Sequence, residues 1–346
     1  MGVMRKVAIG VAWLVGFVVL AAAGFYAWAA WAAATKLNVT YDVHRVDFPI
    51  PFPLTASELD ALRAERLAAA PAGAANPAAE TDPLAGLDLN AVARERAVAR
   101  GKHLVESLYV CTECHASDFG GGGVMVDDAM IGHILGPNLT LGKGSRTLNY
   151  TAADWDRMVR HGVKPDGKAS PMPSKDFFGI SDQELSDIVS YIRSFPNVDR
   201  EVPVWTSGPL GKVLVATGQI ELSAAVHPTK HVITHLVVPP AAAPDATYGK
   251  HLAQACTGCH RSTFVGGPIA GGPPDWPPAA NLTPTGLAGW TYEDFLGALL
   301  HGKRKTGEPL REPMASMPKF AKNLTDTELK AIWAFIQSLP AAPDGK

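Results

Sequence analysis

The four cysteines of this 346-residue chain fall in two short runs, Cys111-Thr112-Glu113-Cys114-His115 and Cys256-Thr257-Gly258-Cys259-His260. Both spell C-x-x-C-H, the pattern of covalent c-type haem attachment. Two thiols three positions apart on one helical turn reach the two vinyl groups on one edge of a porphyrin and form thioethers. The histidine that follows turns its imidazole to the iron. The alternatives need residues that the chain lacks. A structural zinc site requires further Cys or His ligands at regular spacing, and no cysteine remains. A thioredoxin-type redox pair sits in a βαβ context, and a disulfide framework scatters its cysteines through a small secreted chain. The motifs therefore assign Cys111, Cys114, Cys256 and Cys259 to two haem c groups, with His115 and His260 as iron ligands.

The sixth ligand decides whether such an iron carries electrons or does chemistry. The candidates are Met172, in Pro171-Met172-Pro173, and Met317, in Met317-Pro318; their offset of 145 residues is also that of the cysteines. Proline after each methionine biases it toward extended backbone, suited to a loop that lays a thioether on the open haem face. Met314 competes with Met317. Met158, on a helix, and Met125 and Met130, close to the first motif, read as packing residues. A methionine ligand raises the potential relative to bis-histidine and fills the last coordination position, which leaves the iron only a change of charge. A dihaem peroxidase, the enzymatic alternative, has to open one such position, whereas both halves here keep a Met-Pro.

Other residues are read more modestly. Asn138 and Asn281, each before Leu-Thr, shape the loop over the histidine face. An axial histidine needs a carbonyl partner for its other ring nitrogen, and Pro137 is the candidate region in the first half; the second half has Ala280 there. Tyr150 and Trp290 either line the haem edge or pack the core. His103 and His251, on helices ahead of the motifs, read as surface residues, and His161 and His301 as helix-terminal ones. His227, His231 and His235 recur every four residues, but Pro228 interrupts the spacing, so they read as linker residues rather than a metal site.

The elements that hold these residues come twice. Gly101-Lys102-His103-Leu104 recurs as Gly249-Lys250-His251-Leu252, Asn138-Leu139-Thr140 as Asn281-Leu282-Thr283, and His161-Gly162 as His301-Gly302. Landmarks in one order at nearly constant spacing mark two copies of one unit. Each copy ends in a helix with an apolar stripe at i, i+3, i+4, i+7: Leu185, Ile188, Val189 and Ile192, then Leu329, Ile332, Trp333 and Ile336. Capping boxes open these helices at Ser181…Glu184 and Thr325…Glu328, and further ones at Thr151…Asp154 and Thr291…Asp294. Prolines 196 and 340 close them. Helices over 92–107 and 248–255 precede the motifs, and no stretch shows sustained period-two alternation. Both copies read as all-α.

Residues 7–34 carry no charge and exceed the roughly 20 residues needed to span a bilayer. Arg5 and Lys6 before this run place the N-terminus in the cytoplasm, and Trp28 and Trp31 mark the far interface. A cleaved signal peptide is the alternative, although its apolar region is normally shorter. The resulting division is a transmembrane anchor over 1–35, an exported linker with a short helix from Thr55…Glu58 over 36–91, haem units over 92–197 and 246–341, and an interdomain linker over 198–245. Residues 71–83 read as an extended Ala/Pro segment. The interdomain linker, with a β-branched stretch at 213–215, is expected to cross the surface and tie the two units together. A net charge of −2, from 31 basic and 33 acidic residues, gives no support to nucleic-acid binding.

A C-x-x-C-H after a first helix, an N-L-T loop, a Met-Pro segment and a final helix together resemble the class I cytochrome c family, twice over. The resemblance implies that the first and last helices of each unit cross, with the haem between them and one edge exposed. The whole is similar to the membrane-anchored dihaem cytochromes that serve periplasmic dehydrogenases and terminal oxidases. It departs from the oxidase subunits in its Ala/Pro segment. The implied role is electron transfer at the periplasmic face of the inner membrane. The implied partners are redox proteins: a membrane dehydrogenase, a quinol-oxidising complex, a reaction centre or a terminal oxidase.

Overall fold

The computed structural model describes residues 2–69, 82–226, 231–269, 272–273 and 275–345. Most of the Ala/Pro segment and His227 lie outside these residues. Helix α1 (Gly2–Asn38) is the apolar N-terminal run. At 1.5 Å per residue its 37 residues extend about 55 Å, against about 30 Å for the hydrocarbon core of a bilayer. Helix α2 (Ala56–Ala68) begins at the Thr55…Glu58 capping box. The first unit follows with α3 (Leu89–Ser107), α4 (Thr112–His115), α5 (Ala152–Val159), a 3₁₀ turn over Ser174–Phe177, and α6 (Asp182–Arg193). Then come α7 (Pro209–Thr217) and α8 (Ser223–Val226). The second unit comprises α9 (Ala246–Leu252), a 3₁₀ turn over Ala253–Cys256, α10 (Thr257–His260), α11 (Tyr292–His301), a 3₁₀ turn over Met314–Ser316, α12 (Pro318–Ala321) and α13 (Asp326–Ser338).

A small sheet departs from the otherwise helical architecture. Strands β1 (Val124–Asp128) and β2 (Gly132–Leu135) form an antiparallel hairpin after α4, and β3 (Thr206–Ser207) pairs with β2. Strand β1 has no buried face, so no period-two pattern exists for the sequence to display. Met125 and Met130, expected as packing residues, stand exposed on this hairpin.

The two copies share one construction. In the first, α3 crosses α6; in the second, α9 crosses α13. The crossing points are Gly101 and Gly249, which explains why that tetrapeptide recurs. A Cβ on Gly101 would lie 2.0 Å from the Asp187 carbonyl oxygen, and one on Gly249 would lie 1.9 Å from that of Ala331. The stripe residues Leu185, Ile188, Val189 and Ile192 are buried with Val105, Tyr109 and Phe119. Leu329, Ile332 and Ile336 form the matching core with Leu252 and Phe295. All four capping boxes read in the repeats are formed, each with its side chain accepting from the N3 backbone N–H.

The interdomain segment behaves differently from expectation. Residues 213–215 belong to α7, which starts with Pro209 in its first turn and stops at Gly218, whose φ is +81°. Val215 and Ala216 bury against Ala29 and Ala33 of α1. Lys36 Nζ donates to the carbonyls of Val215 and Ala216 at 3.2 and 2.7 Å, capping the negative end of α7. This segment joins the apolar helix to the first unit, and the two units meet by direct contact.

Candidate haem sites and the interface between them

Each attachment motif occupies one turn of helix, α4 or α10, ending at its histidine. The next residue has a left-handed φ, +60° at Ala116 and +64° at Arg261, and so does the phenylalanine three further on, Phe119 and Phe264. Non-glycine residues in that region are uncommon, and two matched pairs mark a turn that each copy enforces. The turn folds the N-L-T loop back over the histidine. His115 Nδ1 donates to the Pro137 carbonyl at 2.9 Å, and His260 Nδ1 donates to the Ala280 carbonyl at 2.8 Å. Only a carbonyl is needed, so alanine serves as well as proline. Desolvation holds both imidazoles below the usual histidine pKa, hence neutral. With Nδ1 committed, each Nε2 carries the lone pair and is the metal-binding atom.

Burial likewise pushes the Cys111 thiol up to about 12 and the Cys256 thiol to about 11. A thiolate metal ligand or redox nucleophile needs the opposite shift. Uncharged sulfur in an apolar setting suits a thioether, so the residues present fit covalent haem. Asn138 and Asn281 act as pins. Asn138 Oδ1 accepts from the Thr140 N–H, while its amide donates to the Val198 carbonyl at 2.7 Å. Asn281 does the same with Thr283 and the Ala342 carbonyl. Each thus fastens its loop to the chain leaving the last helix.

Met172 lies just before the Ser174–Phe177 turn, and its carbonyl accepts from Ser223 Oγ at 3.1 Å. Met317 is not in extended backbone as the following proline had implied: its φ and ψ are −65° and −32°, and Pro318 is in the first turn of α12. A missing N–H is harmless there, and that position overrides the pre-proline bias. Met314 opens the neighbouring 3₁₀ turn, half-buried like Met317. Tyr150 and Trp290 pack at the margins of the two cores.

The units meet through reciprocal contacts. His103 Nε2 lies 2.8 Å from Glu328 Oε1, and His251 Nε2 lies 2.8 Å from Glu184 Oε1. The histidines are equivalent in the two copies, and so are the glutamates, so the arrangement has a local two-fold axis. Both histidines had been read as surface residues; His251 is in fact buried and His103 half-buried. The glutamates are the capping-box residues of α6 and α13, which serve their own helix with one oxygen and the other unit with its carboxylate. Beside them, each methionine segment touches the other unit's attachment helix. Lys319 Nζ donates to Glu113 Oε1 at 2.9 Å, and the Asp176 carboxylate packs where a side chain on Gly258 would stand. Leu108 packs into the second core and Ala255 into the first.

Residues 98–196 and 246–340 match the family of cytochrome c. The chain belongs to the cytochrome c family. Its relatives include the cytochrome subunit of fructose dehydrogenase from Gluconobacter japonicus, 23% identical over 273 residues, covering 72% of this chain and 54% of that protein. The cytochrome c subunit of the quinone alcohol dehydrogenase of Gluconobacter oxydans is 25% identical over 280 residues, 73% of this chain and 57% of its own. A dihaem c-type cytochrome from Cereibacter sphaeroides is 23% identical over 257 residues, 67% and 82% of the two lengths. The chain spans about half the length of the two dehydrogenase subunits. It is a dihaem c-type cytochrome, with two haem c groups. For this cytochrome, the interface pairs were the contacts between the two sites' units that sequence reasoning missed. Their signal was present: two recurring histidines and two recurring capping glutamates, each read within its own helix and never across the repeat.

Proposed function

We propose that this cytochrome is a membrane-anchored subunit that takes electrons from a membrane dehydrogenase and relays them through two haems outside the cytoplasmic membrane. Cys111, Cys114, His115 and Met172 hold one haem in the unit spanning 92–197; Cys256, Cys259, His260 and Met317 hold the other in the unit spanning 246–341. Met317 is preferred to Met314 because it keeps the offset shared by Met172 and the cysteines. The observation that carries the reading is the reciprocal interface. It sets each methionine segment against the other unit's attachment helix, so the two sites stand in direct contact.

The chain's own residues do the holding. The Pro137 and Ala280 carbonyls orient the two imidazoles, and the Asn138 and Asn281 loops keep those carbonyls in place. Bound haem supplies an iron that changes between ferric and ferrous. The dehydrogenase donor is supported by what the relatives are subunits of. Retention of the anchor is supported by α7, because removing α1 near Ala32 or Ala34 would strip the cover from Val215 and Ala216.

Optical spectra of the purified protein, with carbon monoxide added to the reduced form, test the assignment. A methionine-to-iron charge-transfer band in the oxidised state and no shift with carbon monoxide are expected. Carbon monoxide binding at one haem would overturn the His/Met pair there and favour a peroxidase-like site.

A further inference from the structure

Away from both attachment motifs, the first unit holds a second concentration of ligating atoms. His44, Asp156, His161 and His235 each offer one donor atom, and those four atoms lie within 4.8 Å of one another. The residues come from three parts of the chain: the segment after α1, helix α5 with the turn just beyond it, and the linker before the second unit. His161 Nε2 is 3.2 Å from His235 Nε2 and 3.6 Å from Asp156 Oδ1. Asp156 Oδ1 is 3.9 Å from His235 Nε2, and Asp156 Oδ2 is 3.9 Å from His44 Nε2. Tetrahedral coordination with bonds of about 2.0–2.1 Å separates its donors by about 3.3 Å.

The hydrogen bonds around the cluster fix where the lone pairs point. His44 Nδ1 donates to the His231 carbonyl at 2.9 Å, which leaves Nε2 without a proton. His231 Nε2 donates to the Ala224 carbonyl at 3.0 Å, so its Nδ1 is an acceptor, and His161 Nδ1 donates to it at 3.1 Å. His161 Nε2 is thereby a lone pair as well. Among the described residues, two facing acceptors are then left without a hydrogen-bond partner: His44 Nε2 and Asp156 Oδ2, the latter on a fully buried side chain. Unpaired buried acceptors cost free energy, and a cation between them removes that cost. Arg160 occupies only the other carboxylate oxygen, with Nε donating to Oδ1 at 2.7 Å.

We propose that His44, Asp156, His161 and His235 form a structural site for one divalent transition-metal ion of the zinc type. Three imidazoles and a carboxylate suit zinc by ligand softness and number, and a closed set of four protein ligands is the structural rather than the catalytic form. His231 touches no metal in this arrangement; it is a positioning residue that orients His44 and His161. The ion would staple the segment leaving the anchor and the linker onto the first haem unit.

The test is elemental analysis of the full-length, detergent-purified holoprotein after equilibration with one equivalent of zinc and gel filtration. One zinc per two irons is expected, with a zinc K-edge absorption spectrum showing four nitrogen and oxygen neighbours and no sulfur. His44→Gln and His235→Gln, on separate segments, should each reduce retained zinc at least tenfold while iron content and haem spectra stay unchanged. His231→Ala should weaken zinc binding by about 10- to 100-fold. Iron read in the same samples identifies a variant that failed to fold, and the other substitution then decides. Zinc absent from the wild-type protein, or zinc retained equally by both Gln variants, would overturn the proposal.

Discussion

Residues at the interface titrate in opposite senses, which gives the interface a bounded pH range. The hydrogen bond that His103 donates to Glu328 raises the histidine pKa above its ordinary value, and burial only partly opposes it. Glu328 and Glu184 are pushed up by burial, but His103 and His251 respectively pull each to a net value below the ordinary one. A raised histidine stabilises fully below its unfolded value of about 6.5 and loses that contribution as pH rises through the folded value. Lowered glutamates stabilise above about 4.3 and lose it as pH falls through their folded values. Denaturant midpoints should therefore plateau between about pH 4.5 and 6.5 and decline on both sides. In His103→Gln the alkaline decline should shrink; an unchanged alkaline limb would sink this account. His251→Ala leaves the Glu184 carboxylate buried without its partner and should lower stability by about 1–3 kcal/mol, measured by urea unfolding. The two attachment motifs were legible because chemistry dictates their spacing. The interface pairs were not, because each histidine and each glutamate also satisfies a local rule, and nothing along one helix reveals a partner 225 or 67 residues away.

Helices were read well wherever amphipathic period and capping agreed. The stripe on α6 and the Ser181 box needed no tertiary information, and both formed. Strand β1 and helix α7 show the limits. The first buries nothing, and the second hides a valine-rich run behind a Pro start and a Gly stop, signals weaker than β-branching at so short a length. The two crossing glycines carry the clearest prediction for this scale. Gly101→Ala and Gly249→Ala each drive a methyl group into a backbone carbonyl on the partner helix and should cost about 1–3 kcal/mol or more. Thermal melts followed at the haem bands would show both units loosening when either glycine is replaced, since the units share an interface. Ser181→Ala, by contrast, removes one cap and should cost about 1 kcal/mol.

At the level of the molecule, the two-fold pairing of units argues that they unfold and transfer electrons together. Charge reversal at Lys319→Glu sets like charges against Glu113 and should slow equilibration between the haems while leaving each haem's ligation spectrum intact. Rapid-mixing reduction would read this as two separated phases in place of one. The anchored reading makes its own prediction: the mature protein's N-terminal sequence should retain residues 2–34, and deleting them should lower the melting temperature through loss of the α1–α7 contact.

That same contact has a geometric consequence. Lys36 and the Ala29–Ala33 face lock α7 to the last turns of a helix about 55 Å long. On the anchored reading proposed above, the first unit is carried on a mast stepped in the bilayer rather than on a tether. Its height above the lipid is set by helix length, and its remaining freedom is rotation about the membrane normal and lateral drift. A donor or acceptor in the same membrane meets a haem edge at one fixed elevation, and the encounter becomes a search over a plane and one angle.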